Sequence, residues 1–405
     1  MYEYFKEYFD FKTFFLTLGL VVIGLISVYS ATYDAGAGAI FQRQLMWAAM
    51  GLVGMIIAMV IPLKTIHRIT IPAYAIGLLI LLILLGVGKT VSGSRSWIGV
   101  AGLGGQPSEF AKLATILALA AFLAKSTTIL SDARHLFVAI AIVVLPMAFV
   151  LAQPDIGTSL VFFALLLPVL YWAGADNFAL AAILSPVIVA AGALFGTSFF
   201  VASVVVSAVL LYISRRNRFL AAIAFAVTLA VGLSVQFVYE RMPAYQQKRI
   251  MTFLNPEADP LGSGYNVLQA KVAIGSGGIF GKGYLQGTQT QLNFIPEQWT
   301  DFIFCVPGEE FGFLGASFVL LLFGALLLRG ITIASVCKNK FAAITAIGIT
   351  AVLATHVLVN VGMSMGLMPV VGIPLPFLSY GGSALLVNMV MAGLLMNFWA
   401  NRKEY

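Results

Sequence analysis

Asp301 closes the one long polar stretch of this chain, residues 239–301, and runs straight into the apolar segment Phe302-Ile-Phe-Cys-Val306. A carboxylate drawn into hydrocarbon costs about 3 kcal/mol, so one at the mouth of a span tends to face protein or water and to have a use. Beside a hydroxyl nucleophile, such a group can act as general base. Basic residues such as Lys112, Arg249, Lys271 and Lys282 could hold a diphosphate leaving group through charge-assisted hydrogen bonds. Together these parts suit a transfer reaction on a phosphate-activated, lipid-anchored substrate. They suit a transporter almost as well, because ionisable groups near broken spans also mark substrate pathways.

Other polar residues gather at span mouths. Glu109 and Lys112 stand at i, i+3 and share a helix face, as part of a binding site or as an internal ion pair. Asp155, in Gln153-Pro-Asp-Ile-Gly157, lines the same mouth or caps the helix that follows. Trp97 lies in the loop before Glu109, where an interfacial belt residue is the alternative. Glu309 and Glu310 fall about 12–14 Å beyond Asp301 if one helix runs through, and Pro307 is expected to kink that helix.

The elements that must position these groups follow from composition. Of 405 residues, 60% are hydrophobic and 10% charged, against about 25% charged in soluble domains. The chain reads as an all-α polytopic membrane protein, a single integral membrane domain over 1–405. Spans of sufficient length are expected near 12–30, 44–62, 70–88, 108–125, 136–152, 156–172, 177–195, 197–213, 219–238, 302–328, 341–365 and 380–400, twelve in all. The pair 177–195 and 197–213 forms either a tight hairpin or one broken segment.

Lys and Arg cluster at alternate connections, including Lys64 and Arg68, Arg215 to Arg218, and Lys338 and Lys340, while the other face holds only Arg43, Lys89 and Arg95 in its short loops. This places both termini in the cytoplasm and the loop 239–301 outside. The first apolar run is a retained span, since the N-terminus lacks a basic n-region and a cleavage site. The net charge of +7 forms no stripe of the kind nucleic acid needs. Two cysteines and three scattered histidines give no metal-binding spacing. Within the outer loop, Tyr245–Phe253 and Tyr265–Ile274 are amphipathic, with Asn255-Pro256 and Asp259-Pro260 as turns between them. The run Gly275 to Gly283 is no P-loop, because Lys282 is followed by Gly.

Two stretches carry a resemblance. Residues 360–385 read NVGMSMGLMPVVGIPLPFLSYGGSAL, with Pro369, Gly372 and Pro374 making a non-helical loop and Ser379, Gly381 and Gly382 opening the last span. Residues 287–304 read GTQTQLNFIPEQWTDFIF. Both, with the segments at 255–265 and 106–112, resemble the SEDS family of shape, elongation, division and sporulation proteins, which includes RodA and FtsW; the second stretch is similar to the RodA form. The resemblance implies a peptidoglycan glycosyltransferase that polymerises lipid II at the outer face of the bacterial inner membrane during elongation. By the same resemblance Asp301 is the base, Trp97, Glu109, Lys112 and Asp155 fall on positions that matter for activity, and Glu297 matches a motif position without a role. It implies lipid II and the nascent glycan strand as substrates, and a class B penicillin-binding protein and other elongation-complex membrane proteins as partners. Mg²⁺ or Mn²⁺ at the diphosphate is compatible with it. A lipid II flippase and a non-catalytic scaffold are the alternatives. Family members typically have ten spans, so a hairpin near 177–213 is expected to be an insertion.

Overall fold

The computed structural model describes residues 8–404 apart from 92–93, 101–102, 216, 243, 255–262, 293 and 297. The turn signals at 255–256 and 259–260 and Glu297 lie outside the described residues. Among the described residues, a long helix overlaps each of the twelve expected segments. In chain order they are α1 (Phe11–Tyr33), α2 (Gly38–Val60), α3 (Leu63–Val87), α4 (Pro107–Leu123), α5 (Ala133–Ala152), α6 (Ile156–Trp172), α7 (Asn177–Leu194), α8 (Thr197–Ile213) and α9 (Arg218–Arg241). After four short helices, α10 (Ala244–Leu254), α11 (Ser263–Ser276), α12 (Thr288–Gln291) and α13 (Cys305–Glu310), come α14 (Gly312–Val336), α15 (Lys340–Ser364) and α16 (Gly382–Ala400). Nine of the twelve are long and apolar enough to cross a membrane by themselves, and the shorter α6 and α8 are apolar throughout.

Local chemistry sets many of the helix starts. Asp10, Asp132, Asp155, Asp176, Asn217 and Asn339 each accept a backbone N–H from the first turn of the helix they precede. Helices α15 and α16 are buried over most of their length and form the centre, whereas α7, α9 and most of α3 face outward. Helix α16 packs along α2, where a Cβ at Gly393 would overlap the Met55 carbonyl oxygen. Asn397 of α16 donates to the Met59 and Ile61 carbonyls at 2.8 and 2.7 Å and so fixes the α2–α3 corner. Close by, the Arg329 guanidinium meets Asp10 at 2.9 Å and lies over the Trp399 ring, joining α1, α14 and α16.

One open alternative is settled and three expectations change. The pair 177–213 is a hairpin, α7 and α8, turning at Gly196 with φ +109 and packed on α9. Three strands, β1 (Lys89–Val91), β2 (Ser94–Val100) and β3 (Leu103–Gly105), pair as a small antiparallel sheet where a loop was expected. The third helix starts at Leu63 rather than near 70. Most important, the tenth span starts at Gly312, not at 302. Residues 299–304 are turns, α13 is a six-residue piece, and the chain breaks at Gly312, whose φ of +63 a helix cannot continue. Pro307 therefore kinks no span; it sits in the first turn of α13, where its missing N–H has no helical partner to lose. Glu309 and Glu310 are buried by the loop packed around them, not carried down a continuous helix.

Candidate active site

Residues 365–381, between α15 and α16, form a non-helical loop at one end of the bundle, and most of the candidate residues meet there. Gly372 has φ +72, a conformation that favours glycine. A Cβ added to it would stand 3.3 Å from Asp301 Oδ2 and 3.9 Å from Arg249 Nη1, so the carboxylate and the guanidinium converge on this turn. Arg249 comes from α10. With Lys271 of α11 it lines a cavity of about 20 Å³ closed by Gly366, Met368 and Pro369. Gly366 also has positive φ, and the Lys271 side chain lies across the face that a Cβ would fill.

The backbone that carries Asp301 is held from three sides. Asn360 of α15 donates to both the Asp301 and Ile373 carbonyls at 2.8 Å. Ser379 Oγ donates to the Thr300 carbonyl at 2.7 Å and accepts Leu375 N–H at 2.7 Å, and Tyr380 N–H reaches the Trp299 carbonyl at 2.7 Å. Gln44 of α2 in turn donates to the Ser379 carbonyl at 3.1 Å and accepts Gly381 N–H at 3.4 Å. Asp301 thus stands in a turn bonded to the loop, not in the first turn of a span. Gly382 opens α16 against the Trp47 indole, where a Cβ would overlap the ring.

Beneath the loop, Lys112 and Glu109 form a buried ion pair at 2.9 Å, each at most 2% exposed. Lys112 Nζ also stands 2.8 Å from His356 Nε2, and His356 Nδ1 stands 3.0 Å from the Pro374 carbonyl. A carbonyl only accepts, so Nδ1 carries the proton and Nε2 accepts from the ammonium. The line Glu109–Lys112–His356–Pro374 ends on the loop that borders Asp301. The i, i+3 spacing disclosed the ion pair; His356 was missed. Its signal was present in the spacing of His356, Asn360 and Ser364, a polar line at i, i+4 in an apolar helix.

Asp155 caps α6 through Thr158 N–H at 2.9 Å and accepts Gln106 Nε2 at 2.9 Å. Its neighbour Gly157 abuts the Val371 carbonyl and Ile373, so this cap also borders the loop. Gln246 of α10 donates to the Pro154 carbonyl at 3.4 Å and links the two. Trp97 lies on β2 with its ring against Gly104, and Gly105 of β3 neighbours Ser383 of α16.

Lys282 departs from expectation. Its ammonium pairs at 2.8 Å with Glu309, which is fully buried, and donates to Thr288 Oγ1 at 2.7 Å. The other Glu309 oxygen accepts Thr290 N–H at 2.9 Å and its hydroxyl at 2.6 Å. Burial pushes the Glu309 carboxyl up, but the Lys282, Thr290 and Gln289 bonds outweigh it and hold it below the usual range. Lys282 thus closes a loop and is committed there rather than to a diphosphate. Glu310 behaves oppositely: burial raises it, against the Ser30 and Gln291 hydrogen bonds. Among the described residues, no three His, Cys, Asp or Glu side chains converge as a metal site would need.

Fold and site together describe a polytopic helical membrane protein with an acid and two cations gathered on a non-helical loop at one end. The profile of the cell cycle proteins FtsW, RodA and SpoVE matches residues 8–203 and 178–404, and the chain belongs to this family. It is 35% identical over 399 residues to the peptidoglycan glycosyltransferase MrdB of Escherichia coli K12, covering 98% of this chain and 95% of that protein. It is 35% identical to the peptidoglycan glycosyltransferase RodA of Treponema pallidum, covering 97% and 98%. Among solved structures, a chain of a peptidoglycan synthase complex matches with TM-score 0.74 and 27% identity, over 98% of this chain and 99% of that one. RodA of Thermus thermophilus shares the fold, with TM-score 0.66 over 98% of each chain.

Proposed function

We propose that this protein is a peptidoglycan glycosyltransferase that polymerises lipid II, with Asp301 as general base. The observation that carries the reading is the convergence of Asp301 Oδ2 and Arg249 Nη1 on Gly372, with Lys271 lining the adjoining cavity. Asp301 takes the proton from the 4-hydroxyl of the acceptor sugar as that oxygen attacks the anomeric carbon of the donor. The bond to undecaprenyl diphosphate breaks on the opposite face, with inversion. The diphosphate keeps the electron pair as negative charge, which Arg249 and Lys271 stabilise without a proton donor. Asn360 and Ser379 fix the backbone that aims the carboxylate, and the Glu109–Lys112–His356 line supports the loop from below.

The positive-inside distribution supports an outer-face site in the bacterial inner membrane, with Lys64, Lys338 and Lys340 at the cytoplasmic end. Likeness to a chain of a synthase complex supports a crosslinking partner, a class B penicillin-binding protein of the elongation machinery. Mg²⁺ or Mn²⁺ at the diphosphate would add to the two cations, and a chelator in the assay tests it. Positioned general bases contribute about 10²–10⁴-fold. Glycan-strand synthesis by purified protein plus partner is expected to fall by that range in Asp301→Asn, with the variant still folded. Polymer made at the wild-type rate by Asp301→Asn overturns the mechanism.

A further inference from the structure

A second cavity, of about 760 Å³, lies at the end of the bundle away from Asp301. Helix α15 separates the two: its first residue, Lys340, lines this cavity, and its last, Ser364, leads into the loop around Asp301. Lys64, His67, Lys338 and Lys340 supply basic groups to the lining, and Glu404 supplies the one acid. Neither Lys64 nor Lys340 has a hydrogen-bond or ion-pair partner among the described residues. Two long helices, α3 and α15, begin at the cavity wall, at Leu63 and Lys340. Asn339 caps Ala342 N–H of α15 and the Pro62 carbonyl takes Thr65 N–H of α3, so it is the dipoles of the two helices that favour an anion there. A phosphate-bearing anion answers every one of these features.

The rest of the lining tells which anion. Val60, Ile61, Leu63 and Phe341 make much of the wall apolar. Val60 is also exposed, and it ends a stripe on α2 in which Val53, Ile56 and Ile57 are exposed as well. The spacing i, i+3, i+4, i+7 puts these four on one helix face. An apolar track thus runs along the outside of the bundle to the mouth of a basic cavity, as an acyl chain and its headgroup would require. Three lysines against one glutamate leave the lining net positive, as an anionic headgroup requires.

We propose that this cavity binds the headgroup of an anionic phospholipid, with Lys64 and Lys340 on the phosphate and the acyl chains along α2. The site is independent of the glycosyltransferase reading, since it shares no residue with the loop around Asp301. Its test is native mass spectrometry of the full chain released from phosphatidylcholine nanodiscs doped with phosphatidylglycerol. The wild type is expected to retain phosphatidylglycerol over phosphatidylcholine. Because each lysine near an anionic lipid surface contributes appreciably, Lys64→Ala with Lys340→Ala is expected to lower that retention by about tenfold or more. Glu404→Gln is expected to raise it, and Arg218→Ala, an exposed cation at the start of α9 and outside the lining, to leave it unchanged. Excess inorganic phosphate is expected not to displace the lipid. Equal retention by wild type and the double variant overturns the proposal, as does an equal loss in Arg218→Ala or displacement by inorganic phosphate.

Discussion

Lys112 shows how strongly one residue can depend on its partners. It is 1% exposed, it contacts both Glu109 oxygens, and it donates to a histidine whose other nitrogen is bonded to Pro374. A buried pair of this kind adds little over a well-packed apolar pair, but removing one partner strands a charge and costs about 3–5 kcal/mol. Lys112→Met is therefore expected to lower the thermal unfolding temperature in detergent sharply. Adding Glu109→Gln is expected to restore most of the loss. A double variant that melts no higher than Lys112→Met would remove the ion pair as the cause. Lys282 shows the reverse situation: it is partly exposed, and its ammonium is paired with the buried Glu309 carboxylate.

At the scale of elements, glycine contacts decide which helices can reach the site. Gly24 of α1 touches the backbone of Phe377 and Leu378, and a Cβ there would overlap the Phe377 carbonyl. Gly393 of α16 touches Met55 at a place remote from the loop. Overpacking of either kind costs about 1–3 kcal/mol. Gly24→Ala and Gly393→Ala are thus both expected to destabilise by that order. Only Gly24→Ala presses on the segment that holds Ser379 and, through it, the Thr300 carbonyl. Glycan synthesis normalised to folded protein is expected to fall in Gly24→Ala and hold in Gly393→Ala; equal rates would show that the loop absorbs the shift.

The whole molecule has a direction across the membrane, and its two cysteines report on it. Cys305 is buried, and Cys337 lies at the same end as Lys340. A membrane-impermeant maleimide applied to spheroplasts is expected to leave the native chain unlabelled. Phe280→Cys, at an exposed position in the loop beside α13, is expected to label. Labelling of the native chain with Phe280→Cys silent would reverse the orientation. Two crossings by the α7–α8 hairpin would leave this direction unchanged. The hairpin packs on α9, and Phe195 at its turn meets the ring of Phe253 of α10, which lines the cavity beside Arg249.

The sequence by itself determined the class of protein and its spans, because hydrocarbon tolerates few charges and every apolar run of sufficient length must be a helix. It also placed Asp301 and the 369–382 loop in motifs that are long and local, and offered Arg249 only as one of four cations. The break at Gly312 was not legible: Phe302 to Leu328 is apolar enough to read as one helix, and only packing of the Gly277–Gly281 turn against Glu309 and Glu310 forces it apart. The partners of Lys112 and Lys282 were equally hidden, since His356 and Glu309 lie 244 and 27 residues away along the chain. Spacing shows which residues share a helix face. Which charge is spent inside the fold and which is left for substrate depends on contacts between distant elements, and that only the tertiary structure decided.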